Sequence, residues 1–173
     1  LRDLIVAHGH ENNAHYRGVD IDLATLEKIP RYNPQTFLCH DVNEGIPFDD
    51  NTCDYLICLE VLEHLENATF FLAEARRVLK PNGRLIISVP NPYCWSELWG
   101  NLRSYPDTEG HVASYTFQNM DALVRFGGMR IIDAMGTFTR IPFSRRITGQ
   151  TRRFLTSSML LTRSYMYLIS KQS

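Results

Sequence analysis

No acidic residue follows Asp133 in this 173-residue chain. All 19 Asp/Glu and 11 of the 18 Lys/Arg precede that point, so residues 1–133 carry −8 and residues 134–173 carry +7. A tail without acid either meets an anionic partner or pairs its arginines with the acidic body. No apolar run approaches the ~18 residues of a spanning helix, and no stretch reads as a signal peptide. No CxxC pair occurs among Cys39, Cys53, Cys58 and Cys94, which argues against a zinc ribbon or a dithiol redox centre. The four are expected as buried free thiols in a reducing cytoplasm. Internal repeats and low-complexity segments are also missing. What remains, 44% hydrophobic and 21% charged residues, is the composition of one globular domain.

Periodicity predicts strands alternating with helices. LRDLIVA has helical spacing and ends near Gly9. YRGVDI (16–21), TFLCH (36–40) and DYLICL (54–59) read as strands apolar enough for a parallel sheet covered on both faces. A short helix over 23–29 stops at Pro30. ATFFLAEARRVL (68–79) is an amphipathic helix with Asn67 as N-cap, closed by Pro81-Asn82-Gly83. RLIISV (84–89) follows as a strand, and Pro90-Asn91-Pro92 forces an extended exit. Helices are expected over 93–103 and 116–126, and strands over 129–135 and 165–170. A helix-like stretch lies near 154–161. The pattern is a doubly wound, mostly parallel sheet with an antiparallel C-terminal strand.

Ligands of such sheets bind at the carboxyl ends of the strands. Three predicted strands end there in polar residues: Asp20, His40-Asp41 and Glu60. An acid at the end of the second strand of a βαβ unit accepts hydrogen bonds from a ribose diol, although Asp also ends strands as a plain turn residue. GVDID, CHDVNEGIPFDDNTCDYLICLEVLEHL and EARRVLKPNGRLIISVPN, in that order, resemble the class I S-adenosylmethionine-dependent methyltransferases. The branch they are most similar to includes the ubiquinone-biosynthesis O-methyltransferases. The resemblance covers residues ~16–136, and MYLISK fits the last strand of the family's Rossmann-like sheet.

This resemblance implies a cofactor, S-adenosylmethionine, and roles for particular residues. Asp20 would bind the ribose hydroxyls, and Ile21 would pack on the adenine. Asp41 would accept from the adenine amino group, and the Val42 N–H would donate to a ring nitrogen. Leu59 and Glu60 would edge the methionine portion. The bland readings are core packing for Ile21 and a turn cap for Asp41. The family's first strand and its DxGxGxG turn have no counterpart here. That strand would lie between those ending at Asp20 and Leu59, and its loss leaves unpaired backbone groups of about 1–3 kcal/mol each. The expectation is therefore a single domain over 1–173, N-terminally incomplete.

An oxygen acceptor must lose a proton, and a histidine suits that task. His111, in EGHVASYTF, is the candidate base, or else a surface-loop histidine. On a continuous helix Glu60, Glu63 and His64 share one face (i, i+3, i+4). With His111 they form a candidate divalent-metal site. Some ubiquinone-pathway O-methyltransferases and small-RNA 2′-O-methyltransferases carry such an ExxEH element. The alternative is a helix start in which Glu60 and Glu63 complement the dipole. Segments 93–114 and 139–163 are the expected lids. The first carries Tyr93, Trp95, Trp99 and Tyr105. The second mixes arginines with apolar residues and suits an apolar or anionic small-molecule acceptor, or contact with a membrane surface. The leading expectation is a small-molecule O-methyltransferase. An RNA methyltransferase using the basic segment for phosphates and a non-catalytic methyltransferase-like binding protein are the competitors.

Overall fold

A computed structural model describes residues 5–6, 16–30, 32–104, 106, 110–137, 139–140, 153–154 and 162–172. Seven strands form one sheet: β1 (Ile5–Val6), β2 (Gly18–Asp20), β3 (Phe37–Cys39), β4 (Cys53–Leu59), β5 (Leu79–Pro90), β6 (Met129–Thr137) and β9 (Ser164–Lys171). Their order is β3-β2-β1-β4-β5-β9-β6. The pairs β2/β3 and β4/β5 are parallel, and β9 is antiparallel to both β5 and β6. The antiparallel C-terminal strand thus stands where the alternation of elements put it. Two further strands, β7 (Thr139–Arg140) and β8 (Arg153–Phe154), pair separately. Phe154 lies in a strand and not in the expected helix; residues 155–161 lie outside the described residues.

The core sits on one face. Leu56 and Cys58 of β4, Leu85, Ile87 and Val89 of β5, and Tyr167 and Ile169 of β9 are fully buried at alternate positions, as a period of two requires. Helix α2 (Ala68–Val78) covers them with Phe71, Leu72, Ala75 and Val78, and α4 (Phe117–Phe126) with Met120 and Val124. Each such large apolar side chain contributes about 1.5–3 kcal/mol relative to exposure. Asn67 caps α2 by accepting the Phe70 N–H, and Thr116 caps α4 by accepting the Asn119 N–H. Both caps satisfy amides with no partner in the helix.

Three local expectations are corrected. Ile5 and Val6 are strand, not helix, and fill the slot between β2 and β4 in antiparallel register, Ile5 opposite Val19 and Cys58. A gap there would strand two rows of backbone donors and acceptors, and a β-branched pair satisfies part of them. Pro81-Asn82-Gly83 does not separate helix from strand. Chain extension begins at Leu79, opposite Cys53, and the three residues lie within β5 where the register shifts. Gly83 is required there because a Cβ would stand 2.9 Å from the Cys53 carbonyl oxygen. Cys39 is exposed, its Sγ donating to the Ile21 carbonyl; the other three cysteines are buried, and none of the four is in a disulfide among the described residues.

The loop after β3 is fixed from α2. Arg77 donates to the carbonyls of Ile46 and Phe48, and pairs with Glu74 and Asp50 at 2.7 Å. Glu74 in turn accepts the Ile46 N–H at 3.0 Å. One salt-bridged helix face thereby positions the chain that begins at Asp41.

Candidate active site

The carboxyl ends of β2 and β3 define one wall of a cleft. Asp20, Ile21, Asp41 and Val42 all line it, joined by Val19, His40, Asn43, Val61, His64 and Leu65. The parallel register, Asp20 opposite Cys39, brings the two acids to the same sheet edge. Asp20 is buried and its Oδ1 accepts the Asp22 N–H at 2.8 Å. Asp41 Oδ1 accepts the Asn43 N–H at 2.9 Å. Ile21 is 59% exposed, so the core reading fails for it: an apolar side chain stands open at the mouth of the cleft. Two carboxylates over Val19, Ile21, Val61 and Leu65 match the chemistry of a ribose and a flat ring, so the residues fit an adenosine group.

Leu59 and Glu60 are not brought to that cleft. Leu59 is exposed at the end of β4. Glu60 has a positive φ of 55°, which breaks the run before any helix starts. Its carboxylate accepts from Ser88 Oγ at 2.6 Å and from Ser164 Oγ at 3.3 Å, binding the tips of β4, β5 and β9 together.

The ExxEH stretch is therefore not a continuous helix. Only Leu62–His64 forms a single 3-10 turn, so Glu60 does not share a face with Glu63 and His64. Leu62 is fully buried, and Val61 and Leu65 nearly so; anchoring these three needs the tighter turn. Glu63, His64 and His111 do converge: their ligand atoms all lie within 4.8 Å of one another. Glu63 is 1% exposed. The His64 and His111 rings stand 4.9 Å apart.

Backbone hydrogen bonds hold the loop that brings His111 in. Val112 and Ala113 N–H both donate to the Glu63 carbonyl, at 2.9 and 3.2 Å. Tyr115 Oη donates to the Leu62 carbonyl at 3.4 Å. Burial, and then the Glu63 charge, push the Tyr115 hydroxyl pKa up. His64 Nδ1 lies 3.1 Å from the Gly110 carbonyl oxygen. A carbonyl only accepts, so Nδ1 carries a proton and donates to it.

A second pocket, of about 260 Å³, opens on the other side of His111. Pro90 and Pro92, Glu97 and Asn101 of α3 (Trp95–Leu102), and Val112 to Ser114 complete it. Trp95 and Trp99 are 68% and 46% exposed and stack on each other 6.2 Å apart; they belong neither to the core nor to this pocket. Glu97, Asn101 and the role of His40 escaped the sequence reading. His40 was visible as the neighbour of Asp41, and its Nε2 donates to the Gly45 carbonyl at 3.0 Å.

A seven-stranded sheet with paired acids at the ends of adjacent parallel strands defines a Rossmann-like domain of the nucleoside-binding kind. A family model described as a methyltransferase domain matches residues 3–87. Over that span the chain is similar to methyltransferase domains, and the relatives and solved structures it matches include proteins described as S-adenosylmethionine-dependent methyltransferases. A Mycolicibacterium smegmatis protein described as a probable S-adenosylmethionine-dependent methyltransferase is 27% identical over 121 residues, which cover 70% of this chain and 46% of that relative. A Rickettsia conorii ubiquinone biosynthesis O-methyltransferase is 48% identical over 42 residues, 24% of this chain and 14% of its own. The chain spans less than half the length of these curated relatives. Among solved structures, an S-adenosylmethionine-dependent methyltransferase from Archaeoglobus fulgidus superposes with a TM-score of 0.61 at 16% identity, covering 89% of this chain and 74% of that one. One from Aquifex aeolicus gives 0.56 at 16%, covering 87% and 65%.

Proposed function

We propose that the protein transfers a methyl group from S-adenosylmethionine to an oxygen atom of a small molecule, with His111 as the base. One observation carries this reading. His64 lines the cleft of Asp20 and Asp41, His111 lines the second pocket, and their rings are 4.9 Å apart. A transferred group therefore has a short path from one cavity to the other.

When bound, the cofactor supplies an electrophilic sulfonium methyl. The protein's own task is alignment and proton removal. Asp20 would hold the ribose hydroxyls, Ile21 would cover the adenine face, and Asp41 with the Val42 N–H would bind the adenine edge. Leu59 and Glu60, at the tip of β4, would border the methionine end; the two serines on Glu60 fix that tip. His111 would take the acceptor's proton, with the buried Glu63 beside it. A pocket of about 260 Å³ is near the lower end of small-molecule sites, which favours a compact acceptor over RNA.

The test is single-turnover release of S-adenosylhomocysteine by the full chain over a panel of hydroxylated acceptors. His111→Ala should lower the rate by about 10²–10⁴ and leave S-adenosylhomocysteine affinity unchanged. An unaltered rate would remove His111 as the base. Retention of RNA that weakens steeply with salt would replace the small molecule.

A second reading uses the same three residues. One carboxylate and two imidazoles within 4.8 Å match the donor set of Mn²⁺ or Zn²⁺, with the proton on His64 Nδ1 leaving Nε2 as ligand. Titration calorimetry with Mg²⁺, Mn²⁺ and Zn²⁺ decides it. Heat of binding that His64→Ala abolishes supports a metal, whereas no heat and EDTA-resistant turnover exclude one.

A further inference from the structure

We propose that the pocket beside His111 takes an acceptor bearing a protonated amine, with Glu97 as its counter-charge. This rests on reading that pocket as the acceptor site. The arginine-rich segment had pointed instead to an apolar or anionic acceptor, and the pocket's lining points the other way.

Hydrogen-bond acceptors dominate the wall. Pro90 and Pro92 form one side, and proline has no N–H to offer an anion. Glu97 and Asn101 are four residues apart on α3, so they share the helix face that closes the opposite side. Ser114 and His111 complete the polar lining. Among the described residues Glu97 is the one carboxylate there, and no described lysine or arginine lines the cavity. Without a donor cluster, a carboxylated or phosphorylated acceptor would be desolvated beside a like charge.

The described arginines nearby, Arg103 and Arg163, are not among the residues that line it. Arg103 lies over the Trp99 ring, its Cζ 4.3 Å from the centroid, on the outward face of α3. Arg163 contributes its carbonyl to the Asn91 N–H at 2.9 Å, while its side chain is exposed and lies outside the lining. A cationic group set between Glu97 and Asn101 would present the rest of a compact acceptor towards His111.

Three single-ring probes test this: tyramine, which carries an ammonium; 4-ethylphenol, which is neutral; and 4-hydroxyphenylacetate, which is anionic. Each is titrated into the full chain saturated with S-adenosylhomocysteine, and binding is read by calorimetry. Tyramine should bind about fivefold to tenfold more tightly than 4-ethylphenol, and 4-hydroxyphenylacetate most weakly. Added salt should narrow the gap. Glu97→Gln should bring tyramine to the level of 4-ethylphenol, with S-adenosylhomocysteine affinity and thermal midpoint unchanged. The proposal is overturned if the anionic probe matches or exceeds tyramine, if Glu97→Gln leaves the preference intact, or if none of the three binds to a chain that binds S-adenosylhomocysteine. Failure of S-adenosylhomocysteine itself to bind would instead overturn the methyltransferase reading, and this inference with it.

Discussion

The imidazoles of His64 and His111 stand 4.9 Å apart, and each lines a different cavity. They lie 47 positions apart in the chain, and their segments are joined by the bond from His64 Nδ1 to the Gly110 carbonyl. Replacing one ring should therefore disturb both cavities, and replacing the other only one. His64→Ala should weaken S-adenosylhomocysteine binding about threefold and slow turnover at least tenfold, because it removes a cleft wall and the anchor of the His111 loop. His111→Ala should change turnover alone. Equal binding constants for wild type and His64→Ala would refute the bridging role.

Asp20 carries the charge proposed to meet the ribose. Asp20→Asn keeps an oxygen for the Asp22 N–H and removes the second charge-assisted acceptor. S-adenosylhomocysteine affinity should fall at least tenfold, about 1.4 kcal/mol, with little change in thermal midpoint. A large fall in midpoint without loss of affinity would make Asp20 a structural turn residue.

Arg77 should matter most at neutral pH. Its hydrogen bonds hold the Glu74 carboxyl below the usual glutamate range, with burial opposing and the Ile46 N–H assisting. A folded-state pKa below the unfolded one contributes stability above the unfolded value, and that contribution is lost as pH falls through the folded value. Arg77→Met should cost about 2–3 kcal/mol at pH 7 by leaving the Ile46 and Phe48 carbonyls without their donor. In urea titrations the difference from wild type should shrink below about pH 4. A pH-independent difference would assign the effect to packing.

Tyr167 is fully buried, and its hydroxyl has no hydrogen-bond partner among the described residues. Burial, and then Tyr165, push its pKa up to about 12. Tyr167→Phe should stabilise the domain by about 1–2 kcal/mol, since it removes a desolvated polar group and keeps the ring against Phe117. Chemical denaturation measures this directly, and a loss of stability would reveal an unseen partner for the hydroxyl.

Much of the fold was legible because burial imposes periods. Leu85, Ile87 and Val89 alternate in β5, and Phe71, Leu72, Ala75 and Val78 repeat on one face of α2. Asn67 was readable as a cap because its side chain acts within three residues. LRDLIVA misled because seven residues fit a helix period while the pairing demand of neighbouring strands lies outside any local window. The ExxEH spacing misled for a related reason. It assumes a regular helix, but the positive φ of Glu60 and the anchoring of Leu62 reset the geometry within three residues.

The sequence by itself determined the order of strands and helices from Gly18 to Thr137 and the acids Asp20 and Asp41 at strand ends, because each depends on local pattern. Only the tertiary structure decided which groups meet. It separated Glu60 from Glu63 and His64, joined those two to His111, and turned Trp95 and Trp99 outward while Glu97 faced a cavity. Such meetings depend on β-sheet register and loop closure over tens of residues, where small backbone rotations set ångström-scale distances that no spacing rule encodes.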